Sequence, residues 1–242
     1  MFRLVQPFGV GSRSGGGAAF TPLSLSPVLW LQSDALSLNN DDAVATWTAT
    51  TGPNATAAGA AQPTFKTAIQ NSKAVVRGAT DDGMATTAVS VTDFTFCFAG
   101  ASSAGGIVAE HSANANSNNG FYFFRNASTE YATQIYRGGV LTVKGWTITT
   151  ATFNIIILRY GGTNAAHKLW LNGTELSPAS NSVSNNPGSA EANTAMYLFS
   201  RGGAASQFSS ADIGEVILIP SAVSDANIAN LFTYLNARWA AY

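Results

Sequence analysis

Residues 153–173 read FNIIILRYGGTNAAHKLWLNG, and this stretch decides the fold class. Ile155, Ile156, Ile157 and Leu158 form an apolar run of strand length, too short for a buried helix. Gly161-Gly162-Thr163 then breaks the chain direction. Lys168 to Leu171 alternates, with Leu169 and Leu171 on one face and Trp170 on the other. Asn172-Gly173 tolerates positive φ at both positions and closes a tight hairpin. Strand, glycine turn, strand and hairpin turn together describe an all-β architecture.

The same punctuation extends outward in both directions. Val28 to Leu31 reads as a short buried strand, and Ala43 to Trp47 and Lys73 to Arg77 as further strands. Phe94, Phe96 and Phe98 alternate with Thr95, Cys97 and Ala99, the period of a half-buried strand. Gly106 to Glu110 is another short strand. Gly120 to Arg125 and Tyr131 to Arg137 follow each other across a turn near Asn126. Ala195 to Ser200 and Ile213 to Ile219 complete the set. Residues 48–63, 114–119 and 177–194 are polar and read as loops. One helix is expected near the C-terminus. Ser224 caps it, and Ile228, Leu231, Phe232, Leu235 and Trp239 fall on one face.

Composition excludes several functions. The 242 residues carry 12 Lys plus Arg against 13 Asp plus Glu, a net charge of −1. A balance this neutral leaves no basic footprint for nucleic acid and no polybasic patch for a membrane. One Cys rules out an intrachain disulfide framework and a thiolate zinc cluster. Cys97 itself reads as a small core hydrophobe. At the N-terminus, Gln6 and Pro7 interrupt the apolar run that a secretory leader needs. The chain lacks an apolar stretch long enough to span a bilayer.

Residues 1–22 form an arm with a Gly15-Gly16-Gly17 joint, leaving 23–242 as the β-sandwich domain. Phe2, Leu4 and Phe8 supply apolar contacts and Arg3 and Arg13 supply charge, which suits the arm to anchor on a neighbouring molecule.

Four stretches resemble the concanavalin A-like, LamG-type jelly-roll family. Leu29-Trp30-Leu31 with Asp34-Ala35 and Trp47 is similar to the family's opening, and Phe94-Thr95-Phe96 to its central strand. Residues 153–173 resemble its paired strands with the Asn-Gly turn. Asp212 through Ile217, followed by the helix carrying Tyr234-Leu235-Asn236, resembles its last strand and closing helix. The resemblance covers about residues 27–240. It implies a jelly-roll β-sandwich with a C-terminal closing helix, and a fold that hosts lectins, hydrolases, adhesion modules and bacteriophage virion proteins alike.

The chemistry expected of the residues is binding. Retaining glycosidases hold two carboxylates about 5–5.5 Å apart. Asp212 and Glu215, three apart on one strand, are expected on opposite faces. Glu215 reads as a buried carboxylate bonded to backbone or Arg near the closing helix. Glu110 diverges from His111, and Glu130, Glu175 and Glu191 sit in polar turns. His111 and His167 are the two available bases. No cofactor is expected; calcium is the metal left open, with Asp41-Asp42 and Asp81-Asp82 as its oxygen donors. Asn54, Asn126 and Asn172 begin glycosylation sequons and read instead as turn residues.

Sugar recognition needs an aromatic face and planar polar groups. Tyr122 and Phe124 share one strand face, with Phe121 and Phe123 on the other. Tyr136 and Trp170 join them as candidates, and Trp170 is the aromatic expected to be exposed. Arg137, Trp146 and Tyr160 are further candidates. The expectation is a non-catalytic virion protein of a bacteriophage, in the capsid or tail, held to other virion proteins by the arm. A homo-oligomer, a trimer by virion symmetry, would display the sandwich to cell-surface glycans. The alternative is a stand-alone lectin module, and a third reading is a glycoside hydrolase.

Overall fold

The computed structural model describes residues 19–112, 119–183, 185–202 and 207–242. The arm residues Phe2, Arg3, Leu4, Phe8 and Arg13 lie outside that set. In chain order the strands are β1 (Leu29–Gln32), β2 (Thr46–Trp47), β3 (Ala49–Thr51), β4 (Ala55–Thr56), β5 (Thr64–Gln70), β6 (Lys73–Gly78), β7 (Met84–Val91), β8 (Phe94–Ser102) and β9 (Gly106–His111). They continue with β10 (Gly120–Ala127), β11 (Glu130–Arg137), β12 (Val140–Thr147), β13 (Asn154–Tyr160), β14 (Lys168–Leu171), β15 (Thr174–Leu176), β16 (Ser180–Val183), β17 (Ala192–Leu198) and β18 (Ala211–Ile219), before helix α1 (Asp225–Trp239).

They form two antiparallel sheets. The first runs β15-β14-β13-β8-β18-β1-β3, with β6 also on β18 and β5 on β6. The second runs β16-β12-β11-β10-β9-β17-β7-β4-β2. Their inner faces share one core. From the first sheet come Phe94, Phe96 and Phe98, and from the second Phe121, Phe123 and Tyr131. Phe94 stacks on Phe121 at 4.4 Å between ring centroids, and Phe123 on Tyr131 at 4.8 Å. The alternation of β8 and β10 thus supplies the two walls of a jelly-roll β-sandwich.

Helix α1 lies on the outer face of the first sheet. Its stripe of Ile228, Leu231, Phe232, Leu235 and Trp239 buries against Trp30, Cys97, Ile157, Trp170 and Ile217. The Ser224 side chain accepts from the Asn227 N–H and caps the first turn. The Asn172-Gly173 hairpin joins β14 to β15, with φ of 47° and 90° at the two residues. Asn54, Asn126 and Asn172 all spend their side chains locally: Asn54 accepts from the Ala49 N–H, Asn126 donates to Glu130, and Asn172 accepts from the Ile155 N–H.

The acids of β18 depart from expectation. A bulge between Ile213 and Glu215 shifts the phase of the strand. Ala211, Ile213, Val216 and Leu218 face the inter-sheet core, while Ile217 and Ile219 lie under the helix. Asp212 and Glu215 therefore share the outer face. The bulge falls at Gly214, which lies under Trp239, where a Cβ would come within 2.6 Å of the indole. Asp212 lines a hollow of about 360 Å³ beside Arg77 and Ser210, which Glu215 does not reach. Asp212 is held by Arg77 at 2.6 Å. Glu215 is 1% exposed and accepts from four donors: the indoles of Trp30 and Trp239, the Tyr234 hydroxyl and the Arg238 guanidinium. Its partners are side chains, with no backbone group among them.

Candidate functional site

The two outer faces of the sandwich differ. The helix covers that of the first sheet, whereas on the second the Arg201–Gly202 turn lies over β9 at the fully buried Glu110 and, among the described residues, no helix or strand covers β10 and β11. The side chains on this open face follow from the strand register. Tyr122 on β10 stands opposite Gln134 on β11 and Glu110 on β9. Glu110 in turn stands opposite Tyr197 on β17. Phe121 and Phe123 point inward, so Tyr122 and Phe124 point outward, as the alternation required.

Ile107, Tyr122, Phe124, Gln134, Arg201 and Gln207 line a pocket of about 190 Å³ on this face. Its floor is apolar, formed where Ile107, Tyr122 and Phe124 pack together. Tyr122 is 6% exposed, and its hydroxyl has no hydrogen bond of acceptable geometry, although Ser112 and Arg201 lie near enough to act on it. Burial is the main cause that pushes this phenol up to about 12, so it stays protonated and able to donate.

Glu110 fixes the pocket from beneath. Its carboxyl accepts from the Ser112 hydroxyl and, at 2.7 Å, from the Gly202 N–H. The second bond ties β9 to the turn that carries Arg201. Burial raises the carboxyl's pKa, and Ser112, Gly202 and Arg201 act against that rise. A larger hollow of about 610 Å³ adjoins, lined by Thr56, Asp81, Ala85, Tyr197 and Phe208, and it shares Arg201 with the first.

The structure sorts the expected site residues by sheet face. Tyr122 and Phe124 meet in the pocket, and Tyr136 stands on the same face two positions beyond Gln134, half-buried and outside the lining. Trp170 is corrected. It does point away from Leu169, but the outer face of its sheet is the one the helix covers. It is 6% exposed, with the Arg159 guanidinium 4.7 Å from its ring centre. Arg137, Trp146 and Tyr160 point into the interior and are fully buried. Register is the signal that would have added Glu110, Gln134 and Tyr197. Arg201 joins only through the Glu110–Gly202 bond.

The other chemical candidates disperse. His111 and His167 are buried between the sheets, and burial lowers His111 to about 4 and His167 well below its ordinary range. Cys97 lies under the helix, its thiol pushed up by burial. Asp41 pairs with Lys66, Asp42 accepts from the Asn39 N–H, and Asp82 from the Ala79 N–H. Among the described residues, no three of His, Cys, Asp and Glu gather as a metal group, and no helix is long and apolar enough to cross a membrane.

Neither a family model nor a curated protein matches this chain. Solved structures do. A Trypanosoma rangeli sialidase in complex with 2,3-difluorosialic acid matches at a TM-score of 0.57 and 12% identity, over 87% of this chain and 33% of the sialidase. The binding domain of Paraclostridial Mosquitocidal Protein 1 matches at 0.57 and 10%, over 88% of this chain and 53% of that one. The CBM40 of Ruminococcus gnavus IT-sialidase, bound to α2,3-sialyllactose, matches at 0.45 and 12%, over 59% and 83%. The chain thus spans a third of the sialidase and about half of that binding-domain chain. At this identity the likeness of the two longer matches bears on the fold alone, a jelly-roll β-sandwich.

Proposed function

We propose that this chain is a non-catalytic carbohydrate-binding module, with the Tyr122–Phe124 pocket as its sugar site. One observation carries the reading. The Tyr122 hydroxyl, beside Ser112 and Arg201 but in a well-formed hydrogen bond with neither, stands at the wall of a pocket with an apolar floor and a polar rim. A buried polar group left unpaired is costly, and a ligand hydroxyl would satisfy it. Aromatic rings below and planar amide and guanidinium groups at the rim are the combination that orients a saccharide. The fold shared with a sialidase solved with a sialic acid derivative makes saccharides the first ligand class to test. Glu110 has both oxygens engaged, which suits it to hold the site's shape and not to transfer protons.

The test is a glycan array on the full chain, followed by titration calorimetry with Tyr122→Phe. Removing only the hydroxyl should weaken binding about tenfold, the worth of one hydrogen bond. The melting temperature should hold or rise, because an unsatisfied group has gone. No reducing sugar should appear from any polysaccharide the chain binds. Unchanged affinity in Tyr122→Phe, or a chain that binds no glycan, sinks the reading.

A second reading adds display on a virion, with the leading segment as tether. Its support is the place where that segment joins the domain: Phe20 packs against the helix side, away from the sugar pocket. A chain lacking residues 1–18 should keep its melting temperature and its glycan binding but no longer co-sediment with phage particles. Full co-sedimentation of the truncated chain would exclude the tether.

A further inference from the structure

We infer that Phe199 is the residue that positions Arg201 at the Tyr122 pocket, through a left-handed backbone that its own buried ring locks in place. This rests on the carbohydrate-binding reading above and specifies what sets the shape of that site. The argument starts from the backbone. Phe199 follows directly on β17 and has a φ of 67°. Glycine and asparagine enter this region readily, whereas a bulky side chain is strained there. Such strain persists only where the surroundings over-determine the conformation, and it gathers at functional sites. Here the surroundings do so from three sides. The Phe199 N–H donates to the Val108 carbonyl on β9 at 3.0 Å, and the Phe199 carbonyl accepts from the Ser209 N–H at 2.7 Å. The ring is fully buried in the core. It fills a slot on β6 that is open because residue 78 is glycine: a Cβ there would come within 2.2 Å of the ring.

The path of the chain after Phe199 shows what the strained conformation achieves. Tyr197 on β17 stands opposite Glu110 on β9. Gly202 lies against both: its N–H donates to Glu110 at 2.7 Å, and a Cβ on it would come within 2.3 Å of the Tyr197 ring. The chain has therefore doubled back over the strand pair it has just left. An extended residue at 199 would carry β17 onward beside β9, whereas the left-handed turn lifts the chain across it. Arg201 sits between the two fixed points, Phe199 on one side and the Gly202–Glu110 bond on the other, and lines the pocket with Tyr122 and Gln134. Among the described residues Arg201 makes no ion pair, so its backbone on either side is what places it. Glu110 holds the far end of the turn, and Phe199 sets its direction.

The test uses the full chain and a substitution outside the pocket. Gly78→Ala puts a methyl group into the slot of the Phe199 ring and changes no pocket residue. Hydrogen exchange followed by NMR should show the Gly202 amide exchanging at least about tenfold faster, while the amides of β10 and β11 keep their rates. Phe199→Gly, which relaxes the backbone but removes the ring, should do the same, and circular dichroism melts check that both variants fold. Affinity for the glycan found on the array should fall at least about fivefold in both. Leu169→Ala truncates the core on β14, toward the opposite edge of the first sheet from β6. It controls for lost stability alone and should keep the parent's Gly202 exchange and affinity. An unchanged Gly202 rate in both variants, a faster rate with undiminished affinity, or a matching loss in Leu169→Ala overturns the positioning role and leaves the sugar pocket standing. A parent chain that binds no glycan overturns the pocket itself, and the role assigned to Phe199 with it.

Discussion

Glu215 shows how one side chain can join a helix to a sheet. Its carboxyl collects the Trp30 indole from β1 and Tyr234, Arg238 and Trp239 from the helix. Arg238 also pairs with Asp34 at 2.6 Å, so the charge cluster continues to the surface. Burial raises the Glu215 pKa, and Arg238 and the indole donors act against it. Breaking a buried charge pair by removing one partner costs about 3–5 kcal/mol, mostly for the groups left behind. Glu215→Ala should lower the urea-unfolding free energy by that order while leaving any binding at the proposed Tyr122 pocket unchanged, because that pocket lies on the other sheet. A loss below about 1 kcal/mol would mean water replaces the carboxylate easily. The residues around it were partly legible. The closing helix and a buried Glu215 follow from pattern, but the bulge does not, because a single Gly214 in an apolar strand does not announce which neighbour will occupy its empty side.

At the level of elements, the helix is the clearest case of sequence dictating structure. Its apolar residues recur at helical spacing, Ser224 caps its start, and all five stripe residues are buried. Ser224→Ala should cost about 1 kcal/mol in thermal or urea unfolding, the usual worth of a lost cap. Strands β7 and β12 were harder to see. Met84–Val91 is rich in Ala, Thr and Ser, and β12 turns Lys144 inward, where its ammonium donates to the Asn164 and His167 carbonyls. β7 owes its place to β17, distant in sequence, and β12 to a hairpin with β11 across Gly138-Gly139, while neither strand shows a clean apolar alternation of its own. Trp170 teaches the same lesson. Alternation gives the face of a strand correctly, but it does not say which of two outer faces a helix will cover. The pocket residues Tyr122 and Phe124 were legible for the same reason that Trp170 misled: parity alone placed all three.

The whole molecule should respond to acid through its buried histidines. His111 is fully buried, and burial lowers it to about 4. An unfolded histidine takes up its proton near pH 6.5, so between pH 6.5 and 4 the unfolded chain binds more protons than the folded one. The stability that His111 supports is complete above pH 6.5 and is lost as pH falls toward 4, by about 3 kcal/mol at most. His167 acts in the same direction. Glu110 and Glu215, raised by burial, act oppositely and blunt the slope. Urea midpoints between pH 7.5 and 4 should fall, and His111→Gln should make that fall shallower. An identical fall in the variant would assign the acid sensitivity elsewhere.

The location of Phe20 and Tyr242 on the helix side has a practical consequence. Phe20 and Tyr242 both lie at the back of the sandwich, so a group attached beside either stands away from the proposed Tyr122 pocket. If the proposed pocket binds sugar, a chip carrying the protein beside Tyr242 should retain the capacity measured free in solution, and coupling through a cysteine placed at Gln134, in the pocket lining, should silence it.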